Sequence, residues 1–213
     1  MTSDGFDAII IDWAGTITVP LLDAVLHSVN ELGFGADELT RALEGLAGYM
    51  TDPDSIIHRA EIGQISDDDL RAHMDDIAEG AGRLFDAEPP SIFHAADRPE
   101  MIQLLEDLAE TDTLIVLATN NFETAQDILA ARYLESGLVH AIVNSALVGM
   151  RKPNPAYYSL ILETFDLDPA HTLVIDDADT NLEVARDLEM VTVLVGNDTT
   201  AAVDEIRRLV IGA

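Results

Sequence analysis

Apolar residues along the chain fall into two alternating patterns, short β-branched runs and longer stretches with an apolar position every three or four residues. The runs Ala8 to Ile11, Leu114 to Ala118, Ala141 to Val143, Leu173 to Ile175 and Val191 to Val195 predict strands buried on both faces. A strand with one wet face would alternate apolar with polar residues, whereas parallel strands covered on both sides read as continuous apolar runs. Met101, Ile102, Leu104, Leu105 and Leu108 recur at helical spacing, and so do Leu182, Ala185 and Leu188. Strand alternating with helix from about residue 97 onward predicts an α/β fold, a doubly wound parallel sheet of Rossmann-like type with right-handed crossovers.

The segment between the first strand and residue 96 has no comparable strand run and reads as helices separated by polar turns. It predicts a helical cap over residues 19–96, inserted into a core made of residues 1–18 and 97–213. Leu70, Met74, Ile77 and Ala78 form an apolar stripe on one helix, whose start is marked by Ser66 and the acidic run Asp67 to Asp69. That run reads as a solvated helix N-terminus. Ala87 to Ser91, with Pro89 and Pro90, reads as the return linker to the core.

Composition narrows the classes of function. The chain has 213 residues, 48% of them hydrophobic, enough for one core and a small accessory lobe. No stretch approaches the roughly 18 to 20 apolar residues of a membrane span, and the acidic start does not resemble a secretory signal. A soluble, cytoplasmic protein is expected, as a monomer or homodimer. Eleven Lys plus Arg against 40 Asp plus Glu give a net charge of −29, which repels nucleic acid and anionic lipid surfaces. Neither nucleic acid nor membrane is therefore an expected partner, and such acidity also suits a salt-rich cytoplasm. The absence of cysteine excludes disulfides, thiol nucleophiles and thiolate metal sites.

In open α/β sheets reactive groups gather beyond the carboxyl ends of the strands. Asp12 follows the first strand in IIIDWAGT, and Thr119, Asn120 and Asn121 follow the second in VLATNN. Lys152, the single lysine of the chain, lies past the third in GMRKPNPAYY, and Asp176, Asp177 and Asn181 follow the fourth in VIDDADTN. These residues supply a carboxylate nucleophile, hydroxyl and amide donors, one cation, and a second carboxylate cluster for a hard divalent ion. Phosphoryl transfer needs that inventory, because its catalysis consists of positioning and charge neutralisation. Magnesium prefers carboxylate oxygens, which Asp12 and Asp177 would provide.

The four strand ends, in this order, resemble the four motifs of the haloacid dehalogenase superfamily. HRAEIGQIS, RPEMIQLLEDL, GMRKPNPAYY and VIDDADTNLEVARDLEM are similar to the helical-cap branch, including sugar-phosphate phosphatases such as α-glucose-1-phosphate phosphatases, and epoxide-hydrolase phosphatase domains. The resemblance implies a small phosphorylated metabolite as substrate and Mg2+ as cofactor. Asp12 would become phosphorylated. Thr119, Asn120, Lys152 and the backbones of Ala14 and Gly15 would hold the phosphate. Asp12, Asp177, Asp176 and the Ala14 carbonyl would hold the metal.

One position departs from that pattern. Phosphatases of the family carry a second aspartate two residues after the nucleophile, which protonates the leaving group, and here that residue is Ala14. Loss of a general acid costs about a hundredfold to ten-thousandfold. Three accounts fit: a cap residue such as His58 supplies the proton, the substrate has a good leaving group such as an acyl phosphate, or turnover is lost and a phosphate-binding scaffold remains. The DWAGT segment resembles phosphonoacetaldehyde hydrolase, whose carbon–phosphorus cleavage uses a lysine imine, but Lys152 is the only lysine and is already assigned. Haloacid dehalogenases also lack the second aspartate, yet the Asp176 and Asp177 pair favours a cation and hence phosphorus over halide chemistry. Trp13 is expected to pack into the core, Gly15 to permit a sharp turn and Thr16 to brace it.

Overall fold

The structure, a computed structural model, describes residues 5–20, 23, 52, 54–77 and 95–212. Strands β1 (Ala8–Ile11), β2 (Leu114–Thr119), β3 (Ala141–Asn144), β4 (Thr172–Asp176) and β5 (Val191–Leu194) form one sheet in the order β3-β2-β1-β4-β5, every pairing parallel. The helices are α1 (Ile56–Glu61), α2 (Asp67–Ile77), α3 (Pro99–Ala109), α4 (Ala125–Leu129, continued by a wider turn over Ala130–Leu134), α5 (Ser145–Val148), α6 (Pro155–Phe165), α7 (Asp179–Asp187) and α8 (Thr200–Val210). All five expected strands are present, and β2, β3 and β4 each run one residue further at the carboxyl end. Thr119 pairs with Asn144 and Asp176 with Leu194, so polar residues that end the apolar runs are still held in the ladder.

Both faces of the sheet are buried, which is why its strands read as unbroken apolar runs. Ile9, Ile11, Ile115, Leu117, Leu173 and Ile175 pack with Met101, Leu104, Leu105 and Leu108 of α3 and Val203 and Ile206 of α8. On the opposite face Ile10, Val116, Ala118 and Val174 pack with Tyr157, Tyr158 and Ile161 of α6 and Leu182 and Ala185 of α7. Pro155 at the start of α6, behind an Asn154 side chain that accepts the Ala156 N–H, fixes where that helix begins.

Within residues 19–96, α1 and α2 are described, and Leu70 is buried as the apolar stripe requires. The side chains at 74 and 77, Ala78 and the linker at 87–91 lie outside the described residues. Ser55 accepts the His58 N–H at the start of α1, and Ser66 accepts the Asp69 N–H at the start of α2. Asp67 is not merely solvated. Its carboxylate accepts the Thr124 N–H at 2.8 Å and the Thr124 hydroxyl, tying the start of α2 to the loop after β2. The two crossings that bracket residues 19–96 lie side by side. Thr18 and Asp97 form an antiparallel bridge, flanked by Val19 N–H to Ala96 O and Arg98 N–H to Ile17 O, both 2.9 Å. Arg98 reinforces it, donating to Thr18 O at 2.9 Å and Gly196 O at 3.0 Å. No helix among the described residues is long and apolar enough to cross a membrane.

Candidate active site

The carboxyl ends of β1, β2 and β4 bring Asp12, Thr119 and Asp176 to one edge of the sheet, and the loop after α5 delivers Lys152 between them. The ammonium of Lys152 donates to Asp12 Oδ1 at 2.6 Å, Asp176 Oδ2 at 2.8 Å and Ala118 O at 2.9 Å, using all three of its protons. Its backbone is held from β2: the Lys152 N–H donates to Asn120 Oδ1 and Asn120 Nδ2 donates to Lys152 O, each at 2.9 Å. Asn120, expected to touch phosphate, therefore spends its side chain bracing the lysine.

Asp176 is equally committed. Oδ1 accepts Ala178 N–H at 2.9 Å and Asn181 Nδ2 at 3.0 Å, and Oδ2 accepts Asn181 Nδ2 at 3.1 Å besides Lys152. Both of its oxygens are thus engaged, one of them by the lysine. Asn181, in the first turn of α7, was visible in the sequence as a strand-end residue, but its partner was not. It lies five residues after Asp176, near enough along the chain for the first turn of α7 to fold back onto that carboxylate.

Asp12 is followed by a tight turn over Trp13–Ile17. Gly15 has φ +89°, and a Cβ there would stand 2.2 Å from Asp177 Oδ2, so glycine is required both for the backbone and for the approach of that carboxylate. The brace of this turn is Thr18 rather than Thr16: its hydroxyl accepts the Gly15 N–H at 3.3 Å and its own N–H donates to Trp13 O at 3.1 Å. The Thr16 hydroxyl, like that of Thr119, is buried without a hydrogen bond among the described residues. Trp13 packs into the core at 2% exposure, its indole N–H donating to Tyr133.

Carboxylate oxygens of Asp12, Asp176 and Asp177 lie within 4.8 Å of one another. Burial raises the Asp12 pKa to about 7. Lys152 opposes that rise, and Asp176 and Asp177 add to it. Asp177 is also held above the usual carboxylate range, by burial against its neighbours and by Asp176. For Lys152 burial acts downward, but the paired carboxylates outweigh it and keep the ammonium charged. Three carboxylates with too few cations, two of them resisting ionisation, are a donor set suited to a hard divalent cation.

Beside the lysine, Arg151 Nε lies 2.7 Å from Oε2 of Glu61, a buried residue at the end of α1. Sequence reasoning did not single out this pair, since nothing local marks a helix carboxylate whose partner is ninety residues away. His58 lies buried in the same helix one turn earlier, and Arg59 is exposed.

Residues 6–188 match the family described as haloacid dehalogenase-like hydrolase. The chain belongs to this family. It is a haloacid dehalogenase-like hydrolase, and its five-stranded parallel sheet is the core of that fold. Bifunctional epoxide hydrolase 2 of Rattus norvegicus is 28% identical over 215 residues, covering 93% of this chain and 38% of that protein, so the chain spans well under half the length of this relative. A HAD family enzyme from Bacteroides thetaiotaomicron, solved with magnesium and inorganic phosphate, superposes with TM-score 0.71 at 20% identity, over 91% of this chain and 96% of that one. L-2-haloacid dehalogenase from Xanthobacter autotrophicus, with chloropropionic acid covalently bound, superposes with TM-score 0.65 at 18% identity, over 98% and 84%. Likeness at these identities is likeness of fold.

Proposed function

We propose that this hydrolase cleaves a small phosphorylated metabolite by transferring its phosphoryl group to Asp12, with Mg2+ as cofactor and residues 19–96 acting as a cap. The observation that carries the reading is Lys152, lodged 2.6 Å from Asp12 and 2.8 Å from Asp176 while Asp177 lies beside them without a lysine contact. A lysine placed there orients the nucleophile and offers positive charge to phosphoryl oxygens. The buried, unpartnered hydroxyl of Thr119 supports a phosphate contact at that point.

Asp12 and Asp177, with the Ala14 carbonyl, would hold magnesium, which when bound neutralises charge on the phosphoryl oxygens. In the first step an Asp12 oxygen attacks phosphorus, the bond to the leaving oxygen breaks, and its electron pair departs with that oxygen. In the second, water attacks the phosphorus of the aspartyl phosphate, which frees the Asp12 carboxylate and releases inorganic phosphate. Ala14 carries no acid, so the chain's own scaffold favours leaving groups that depart without protonation, such as an acyl phosphate.

Ala14 also favours a second reading, attack of Asp12 on carbon with loss of halide. The Asp176 and Asp177 pair weighs against it, since adjacent carboxylates beside Asp12 favour a cation, which attack on carbon does not need. One experiment separates the two: incubation with acetyl phosphate or nitrophenyl phosphate, with and without magnesium, followed by intact-mass measurement, beside chloride release from 2-chloropropionate. Magnesium-dependent turnover, or a phosphoryl group retained on Asp12 and absent in Asp12→Asn, supports phosphoryl transfer. Chloride release without either outcome overturns it, and inactivity in both assays with no mass gain leaves a phosphate-binding scaffold.

A further inference from the structure

Immediately before Lys152 stands a second cation to which the reaction at Asp12 gives no part. The Arg151 side chain is 25% exposed, and its Nε lies 2.7 Å from Oε2 of the buried Glu61 in α1. Its backbone is fixed as well, because the Asn154 N–H donates to Arg151 O at 2.9 Å. Just past α1 the chain presses on the segment that follows β3: Gly63 has φ +67°, and a Cβ there would stand 2.4 Å from Ala146 O. Burial holds the Glu61 carboxyl above the usual range, while Arg151 and then Lys152 draw it back down, so the pair stands within electrostatic reach of Lys152.

Stability does not call for this pair. An ion pair taken out of water gains little over apolar side chains of the same volume. With 40 Asp plus Glu against 11 Lys plus Arg, an arginine at the surface meets carboxylates without one being buried for it. What the pair achieves is orientation. A guanidinium is a planar fork of five N–H donors that matches carboxylate and phosphate oxygens two at a time. Glu61 occupies its Nε side, and the four N–H groups on the terminal nitrogens make no hydrogen bond among the described residues. Lys152 is turned to Asp12 and Asp176, so in a chain of net charge −29 a further anionic group on the substrate needs a cation of its own.

We propose that Arg151, oriented by Glu61, is a specificity-determining residue that binds a second anionic group, carboxylate or phosphate, on the leaving portion of the phosphorylated substrate. The proposal rests on the phosphoryl-transfer reading of Asp12.

Asp12→Asn with magnesium holds phosphate esters without turnover, and calorimetry in that background gives their dissociation constants with Arg151 intact, with Arg151→Gln and with Glu61→Gln. The probes are phosphoglycerate, which carries a carboxylate, fructose bisphosphate, which carries a second phosphate, and glycerol phosphate, which carries neither. Arg151→Gln is expected to weaken phosphoglycerate, fructose bisphosphate or both about tenfold or more, the size of a lost charge-assisted contact, and glycerol phosphate by less than about twofold. Which of the two weakens identifies the group as carboxylate or phosphate. Glu61→Gln is expected to weaken the same ligand by a smaller factor. A merely structural pair would affect all three probes alike, so equal losses, or no loss in Arg151→Gln, overturn the proposal. Should Arg151→Gln fail to fold around an unpaired Glu61, Arg151→Gln combined with Glu61→Gln removes both charges, and the same comparison decides. Failure of all three probes to bind with Arg151 intact overturns the phosphoryl-transfer reading itself and the proposal with it, whereas binding without discrimination overturns the proposal alone.

Discussion

Replacing Lys152 by Met keeps the length and volume of a buried side chain and removes its charge. The lysine is 2% exposed and gives all three protons to Asp12, Asp176 and Ala118 O. Breaking a buried ion pair by deleting one partner costs about 3–5 kcal/mol, because the other charge is left uncompensated. Asp176 retains donors from Ala178 and Asn181, so the penalty falls mainly on Asp12. We expect about 3 kcal/mol near pH 8 in metal-free protein, a large part of the roughly 5–15 kcal/mol that holds a domain together.

The pH dependence gives the prediction its edge. Asp12 already titrates near 7 with the lysine opposing the rise, and without it the carboxyl moves higher still. A carboxyl raised in the folded state contributes stability that is complete below its unfolded value of 3.8 and is lost as pH climbs through the folded value. Lys152→Met should therefore cost least in acid, where Asp12 takes up a proton, about 1 kcal/mol near pH 5 for the lost hydrogen bonds. Urea unfolding of both proteins in EDTA at the two pH values measures this, with unchanged m-values as the check on two-state behaviour. A loss that is equal at both, or below about 1 kcal/mol near pH 8, refutes the reasoning.

Metal-free wild type should itself lose stability as pH rises from about 4 to about 7, and magnesium should restore more near pH 8 than near pH 5. Thermal melts in EDTA and in magnesium check this, and equal magnesium shifts at both pH values contradict it. Gly15→Ala places a Cβ 2.2 Å from Asp177 Oδ2 at φ +89°, so we expect a cost of about 1–3 kcal/mol and loss of the magnesium shift, read by the same melts. Ala14→Asp should raise turnover of alkyl phosphates about tenfold or more, and an unchanged rate means that the leaving group draws its proton elsewhere.

The strands were legible because helices cover both faces of the sheet, which leaves runs such as Ala8 to Ile11 no polar position. Thr119, Asn144 and Asp176 escaped that pattern because a polar residue ends an apolar run while the backbone ladder continues through it. Asp12, Lys152, Asp176 and Asp177 were legible as strand-end chemistry, and the structure brings them together. Their division of labour was not. Whether Asp176 faces a lysine or open space depends on a residue 24 positions away, and the lysine's other partner lies 140 positions away. Thr16 and Thr18 are equally suited to brace a turn, and only the backbone path over Trp13–Ile17 selects Thr18. Asp67 reads as a solvated helix start until Thr124, 57 residues on, is seen to donate to it.

Charge explains why the cluster takes this form. Asp12, Asp176 and Asp177 face a single ammonium, a formal deficit of two positive charges within a few ångströms. Left alone, the cluster relieves that deficit by proton uptake, which is the physical meaning of an Asp12 pKa near 7. A phosphate dianion entering the metal-free site would double the deficit, in a chain whose net charge is already −29. On the proposed reading a divalent cation would cancel it and ionise Asp12 in the same act, so the group that admits an anionic substrate would also arm the nucleophile. Lys152 does not replace that cation, because a single ammonium shared between Asp12 and Asp176 leaves the two-charge deficit standing.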